Sequence, residues 1–211
     1  MDLALDRPAL ILVIYAVSAE LRGFPKRDDV SMLACGIGPV EAAAETARML
    51  AFGKFDAVIN AGIAGAFRGR AKVGEAVIVR EEFLADLGLE GGGPLTLPDE
   101  AKLITEVAAA PALLARCDGL PYRVGRGVTV TQVTATRATA DRLTAGYNAD
   151  AESMEGFAVL RAAALAGVPA LEVRGISNYV GDRAQSEWDF GAGTKALHAA
   201  LSDVLARIAT P

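Results

Sequence analysis

Ala9-Leu10-Ile11-Leu12-Val13-Ile14-Tyr15-Ala16 carries no charge and no alternation of wet and dry positions. A continuous apolar run of this length fits a strand buried on both faces, as in a sheet covered by helices. It is too short to span a bilayer, which takes about 20 apolar residues. The chain beyond it repeats the theme. Val30 to Ala34 is a second apolar piece, closed by Cys35-Gly36-Ile37-Gly38-Pro39. Val40, Ala43, Ala44, Ala47 and Leu50 then recur at spacings of three and four, which predicts a helix over Val40 to Leu50. Pro39 suits its first turn, where a missing N–H costs nothing. Phe55 to Asn60 and Val73 to Val79 read as strands, with the small-residue turn Ala61-Gly62-Ile63-Ala64-Gly65-Ala66 between them. Further strands are expected over Val124 to Thr134 and Ala170 to Ile176. Helices are expected over Leu103 to Arg116 (in two pieces split by Pro111), Ala138 to Ala145, Glu155 to Ala166 and Gly193 to Ile208. Glu81 to Leu97, with Gly91-Gly92-Gly93-Pro94 inside it, reads as a loop. Alternating strands and helices point to an α/β layered fold. With no linker and no short-period repeat, residues 1–211 are expected to form a single domain.

The composition narrows the chemistry. The chain has 211 residues, 52% of them hydrophobic, enough to bury one sizeable core. The formal net charge is −5 and the charges are mixed, with no basic stripe, so no nucleic-acid partner is expected. The start of the chain, with Asp2, Asp6 and Arg7, does not resemble a signal peptide. The expectation is a cytoplasmic protein without a membrane partner. Cys35 and Cys117 are far apart in apolar surroundings and read as free thiols. The single histidine, His198, reads as a surface or packing residue. One histidine and two scattered cysteines argue against a zinc site, and no G-x-S-x-G elbow is present for a Ser-His-Asp triad. No metal and no cofactor is expected.

Three places carry groups that chemistry could use. Glu20 follows closely on the first buried strand, at the end where α/β folds bind ligands. It can be a general base toward water, or simply an acid at a helix start capped by Ser18. The stretch Gly62-Ile63-Ala64-Gly65 is either a tight turn or a place where backbone N–H groups approach a ligand. In Glu152-Ser153-Met154-Glu155-Gly156, Met154 and Glu155 open a helix, and in Arg174-Gly175-Ile176-Ser177-Asn178, Arg174, Ser177 and Asn178 lie at the close of a buried strand. A carboxylate such as Glu155 suits a vicinal ribose diol, and Met154 offers a soft apolar surface to a sugar face. Asn178 presents both an acceptor and a donor to the edge of a heterocycle. A capped helix followed by a polar loop accounts for the same residues.

Ala151-Glu152-Ser153-Met154-Glu155-Gly156 and Val173-Arg174-Gly175-Ile176-Ser177-Asn178 together resemble the nucleoside phosphorylase and nucleosidase superfamily. Cys35-Gly36-Ile37-Gly38 and Asn60-Ala61-Gly62-Ile63-Ala64-Gly65 extend the resemblance along nearly the whole chain. Ile176-Ser177-Asn178-Tyr179-Val180-Gly181 and then Trp188-Asp189 are similar to its futalosine hydrolase branch. The resemblance implies a three-layer α/β/α fold around a twisted mixed sheet, a small-molecule purine nucleoside as substrate, and a homodimer or larger homo-oligomer. It gives Glu20 the role of activating the attacking water, Glu155 the ribose hydroxyls, and Met154 the underside of the sugar. Asn178 is placed at the purine N7 region, beside Ser177. Ile63, Ala64 and Gly65 line sugar and base, and Trp188 closes over the pocket. The segment Thr131 to Thr134, with Val133 and Thr134, holds the base edge in a register the sequence leaves open. Adenosine-type nucleosidases carry an aspartate where this chain has Asn178. Asparagine is no acid, but it can accept from a protonated N7 and donate to a 6-oxo oxygen, which favours hypoxanthine as the leaving base. Phosphorylases hold phosphate with arginines early in the chain. Here Val17-Ser18-Ala19-Glu20 follows the first strand, with only Arg22 nearby, so hydrolysis is expected. A methylthioadenosine/S-adenosylhomocysteine nucleosidase and a purine nucleoside phosphorylase are the alternatives.

Overall fold

A computed structural model describes residues 9–89, 97–181 and 188–209. The apolar run that opens the chain is β1 (Ile11–Tyr15), with its first four side chains fully buried. It lies between β2 (Val30–Ala34) and the start of β3 (Ala57–Ala66), parallel to both. Helix α1 (Pro39–Phe52) joins β2 to β3 and begins on Pro39, as its sequence predicts. There follow β4 (Ala76–Leu84), β5 (Glu106–Ala108), α2 (Pro111–Arg116), β6 (Arg123–Thr129) and α3 (Arg137–Tyr147). The chain then forms β7 (Ala151–Ser153), α4 (Gly156–Leu165), β8 (Ala170–Tyr179) and α5 (Phe190–Ala209).

The eight strands form one mixed sheet with helices flanking it, in agreement with the α/β expectation. The sheet also curls on itself. Strand β8 pairs with β3 on one side and β4 on the other, β4 with β6, β6 with β7, and β7 again with β3, closing a ring of five strands. Helix α1 packs on α4, and α5 lies along β8. Among the described residues, no helix is long and apolar enough to cross a membrane.

Five elements differ from the sequence reading. Glu81–Leu84, expected to begin a loop, is the end of β4 and pairs with β6. The glycine-rich stretch after Asn60 is not a turn: β3 runs on through it to Ala66, paired with β8 along its whole length. Of the helix expected from Leu103, only the part after Pro111 is helical. Residues Glu106–Ala108 instead pair antiparallel with Glu81–Phe83 of β4, where an open sheet edge supplies hydrogen bonds and Pro111 disfavours helical geometry before it. Strand β6 stops at Thr129, and the Val/Thr-rich tail leaves the sheet because Thr131 bonds through its N–H and hydroxyl to Asp86. Ala151–Ser153 is a short strand, so the helix that follows starts after Glu155. The glycine-rich part of the expected loop, Gly91-Gly92-Gly93-Pro94, and the N-terminal residues 1–8 lie outside the described residues.

Candidate active site

A cavity of about 280 Å³ opens at the carboxyl ends of β1, β3 and β8, where ligands bind in open α/β sheets. Ten of the residues singled out from sequence line it: Glu20, Ile63, Ala64, Gly65, Val133, Met154, Glu155, Ser177, Asn178 and Trp188. Thr134 sits just behind, buried, with its N–H donating to Glu152 Oε1 at 3.0 Å. Trp188 stacks on Phe190 at the mouth, with ring centroids 5.3 Å apart.

Glu20 is held by three backbone donors. Its Oε2 accepts from the N–H groups of Ala16 and Val17, at 2.9 and 3.0 Å, and its Oε1 accepts from Ile63 N–H at 2.9 Å. The first two belong to the chain leaving β1, so the carboxylate caps its own turn while facing the cavity. Burial pushes its carboxyl above the ordinary carboxylate range, and the backbone hydrogen bonds and Arg174 only partly oppose that. A base raised in this way is better matched to taking a proton from water near neutrality. His198 contributes from α5. Its Nε2 lies 2.8 Å from the Glu20 carbonyl oxygen, a geometry in which the ring N–H donates, and its ring meets Phe24 edge-on. The histidine is therefore a packing residue, and the turn it packs against is the one bearing Glu20.

Arg174 belongs to a motif quoted from the sequence, where it carries no assigned role. It is 1% exposed and lies among carboxylates. Its Nε donates to Glu172 Oε1 at 2.6 Å, and Nη1 is 3.7 Å from Glu155 Oε2. Burial alone would lower its pKa, but Glu172 and Glu155 outweigh burial and raise it, so the guanidinium stays charged. Gly62 explains how so large a side chain reaches the site. It faces Arg174 across β3 and β8, and a Cβ there would collide with Nη1 and lie 2.8 Å from Glu20 Oε1. Glu155 Oε1 in turn accepts from Gly38 N–H at 3.0 Å, which ties the β2–α1 turn to the site. Gly38 has φ of 96°, a backbone region glycine adopts without strain.

Asn178 reaches the cavity through an irregularity. The pairing of β3 with β8 slips by one residue between Ala64 and Gly65, so Gly65 faces Asn178 instead of Ser177. Such a bulge re-aims the side chains beyond it. The Ser177 hydroxyl donates to Asn178 Oδ1 at 2.9 Å, which sets the amide orientation. A second lone pair on Oδ1 and a second N–H on Nδ2 remain for a ligand.

Two buried carboxylates, Glu20 and Glu155, and the Asn178 amide thus share one cavity at the end of a parallel β1–β3–β8 core. Residues 16–210 match the family model described as the phosphorylase superfamily. The chain belongs to the phosphorylase superfamily. It is 40% identical over 190 residues to the futalosine hydrolase of Streptomyces coelicolor, covering 86% of this chain and 79% of that protein. It is 37% identical over 182 residues to the futalosine hydrolase of Thermus thermophilus, covering 82% and 80%. The native structure of the futalosine hydrolase of Helicobacter pylori superposes with a TM-score of 0.77 at 19% identity, over 93% of this chain and 97% of that one. That last likeness concerns the fold.

Ala16, Val17, Ile37, Glu152, Ser153 and Phe190 line the cavity without having been given a role from sequence, and Arg174 lies behind it. Arg174 was visible as a charge inside an otherwise apolar strand, a pattern that marks paired or functional charge. The exposed Ile37 and Phe190 carried no such signal. Among the described residues, no cluster of three or more His, Cys, Asp or Glu side chains is placed to hold a metal ion.

Proposed function

We propose that this member of the superfamily hydrolyses the N-glycosidic bond of futalosine, releasing hypoxanthine and dehypoxanthine futalosine, in menaquinone biosynthesis. The observation that carries the reading is the placement of buried Glu20, Glu155 and Asn178 on one cavity. Identity to two futalosine hydrolases over most of their length supports the choice of substrate.

Glu155 accepts the ribose hydroxyl protons, and Met154 lies against the sugar. The bond from C1′ to N9 stretches, and its electron pair leaves on the purine. N7 takes up a proton from solvent as the bond breaks, Asn178 Oδ1 accepts from the resulting N7–H, and Nδ2 donates to the 6-oxo oxygen; the proton that Glu20 removes from water passes to solvent, so the two balance. Glu20 takes a proton from the water that attacks C1′. Arg174 balances the negative charge of Glu155 and Glu172 beneath the sugar and keeps Glu20 from being further discharged. The acidic entry built by Glu20 favours water over phosphate as nucleophile.

The exposed apolar side chains of Ile37 and Phe190, which line the cavity, support a homodimer or larger homo-oligomer. The two buried free thiols, Cys35 and Cys117, are in keeping with a reducing, cytoplasmic location.

The test is to incubate the protein with futalosine or methylthioadenosine, with and without phosphate, and to identify the base and sugar products. Hypoxanthine released from futalosine without phosphate is the expected result. Preferential release of adenine, or formation of a ribose 1-phosphate, would overturn it. Glu20→Gln should lower turnover by about 100-fold or more while substrate still binds.

A further inference from the structure

We propose that Glu152 reads the N1–H of the leaving base, forming with Asn178 a two-sided clamp across Gly65 that selects a 6-oxopurine. The inference rests on the nucleosidase reading above and assigns a residue that reading leaves unused.

Gly65 of β3 is paired with Glu152 of β7 on one side and with Asn178 of β8 on the other. Residues directly paired across strands project to the same face, so the three stand in one row, with Glu152 and Asn178 two strand spacings, about 9.6 Å, apart. The middle position has no side chain. A Cβ there would lie 3.0 Å from Asn178 Nδ2 and 2.9 Å from Val180 Cγ2, so the glycine leaves a bare floor between two polar walls. Glu152 and Asn178 both line the cavity, and both are buried.

Glu152 also has acceptor capacity to spare. Its Oε1 accepts from Thr134 N–H, while among the described residues its buried Oε2 has no hydrogen-bond partner. An unmet buried carboxylate oxygen is costly unless something else supplies a donor. The Thr134 N–H is already used by Glu152, and Glu152, not Thr134, lines the cavity. On this side the wall therefore offers a carboxylate. A backbone N–H offers a donor, which suits the bare N1 of a 6-aminopurine. A carboxylate offers an acceptor, which suits the N1–H of hypoxanthine and repels the lone pair of adenine N1. Asn178 donating to O6 and Glu152 accepting from N1–H then read neighbouring atoms of one base.

The test uses free bases as ligands, with binding measured by calorimetry, so that it does not depend on the group at the 5′ carbon. Wild-type protein should bind hypoxanthine more tightly than 1-methylhypoxanthine, which lacks the N1 hydrogen, by about 10- to 100-fold, as for a hydrogen bond to a charged group. In Glu152→Gln the methyl penalty should shrink to within about threefold, and hypoxanthine should lose most of its preference over adenine. Glutamine keeps an acceptor for Thr134, so this variant retains the local backbone bond. An unchanged methyl penalty in Glu152→Gln, or no penalty in the wild type, would overturn the assignment of Glu152 even if hypoxanthine binds well. Preference of the wild type for adenine would overturn the 6-oxopurine reading itself, and the clamp with it.

Discussion

Replacing Gly62 with alanine adds one methyl group where the structure has no room for it. The new Cβ would overlap Arg174 Nη1 and lie 2.8 Å from Glu20 Oε1. The arginine tip is normally free to swing aside, but here its Nε is bonded to Glu172 at 2.6 Å and the side chain is 1% exposed. Retreat therefore breaks a buried, charge-assisted bond or drags the Glu20 carboxylate from the Ile63 N–H that positions it. Overpacking of this kind costs about 1–3 kcal/mol. For a chain of this size each kcal/mol lowers Tm by about 2–4 °C. A displacement of about 1 Å at a reacting group costs about 100-fold in rate. Gly62→Ala should thus remain folded by circular dichroism, with Tm lowered by several degrees, while kcat on futalosine falls by about 100-fold. The loss should fall on kcat more than on KM, because Glu155 and Asn178 are not the groups struck. A variant with kcat within about threefold of wild type would refute the idea that Gly62 exists to let Arg174 and Glu20 share the site.

Asn178→Asp should raise kcat/KM on methylthioadenosine relative to futalosine by about 10-fold or more, since an acid can protonate N7 of adenine; an unchanged ratio in paired kinetic assays would count against the role of the amide. His198→Ala removes the donor to the Glu20 carbonyl. It should cost about 1 kcal/mol of stability in denaturant titration and reduce kcat modestly, with KM nearly unchanged. Glu82 is held far above the ordinary carboxylate range, first by burial and then by neighbouring Glu172, although the Thr129 hydroxyl donates to it at 2.8 Å. A raised folded-state pKa contributes stability that is full below the unfolded pKa and is lost as pH rises through the folded pKa. Glu82→Gln should therefore flatten the fall of Tm with rising pH, as followed by thermal melts across that window. Because burial raises Glu20 as well, the acidic limb of kcat/KM should lie above the ordinary carboxylate range, with activity rising as the base ionises; a limb at the ordinary position would contradict it.

The readings that held are those with short-range causes. The run around Ile11–Tyr15 had to be a doubly buried strand, and Pro39 had to start a helix, because period and covalent geometry are local properties. The face of that helix that packs, however, is carried by Ala42, Ala43, Thr46, Met49 and Leu50, while Val40, Ala44 and Ala47 of the expected apolar face are exposed. The chain also displayed Glu20, Met154, Glu155 and Asn178 in recognisable settings, and the structure brings them to one cavity. What the chain could not display was partnership. Glycines at 62 and 65 signal a turn by composition, yet they lie within β3, and they are small because Arg174 and Asn178 of β8 cross over them. Glu106–Ala108 became a strand because β4 had an open edge, and Thr131–Thr134 left the sheet because Asp86 and Glu152 claimed its backbone. Each outcome depends on groups more than 15 residues away. The strand buried at the start of the chain was thus decided by its own residues, whereas the floor and walls of the cavity were decided only when distant strands came into register.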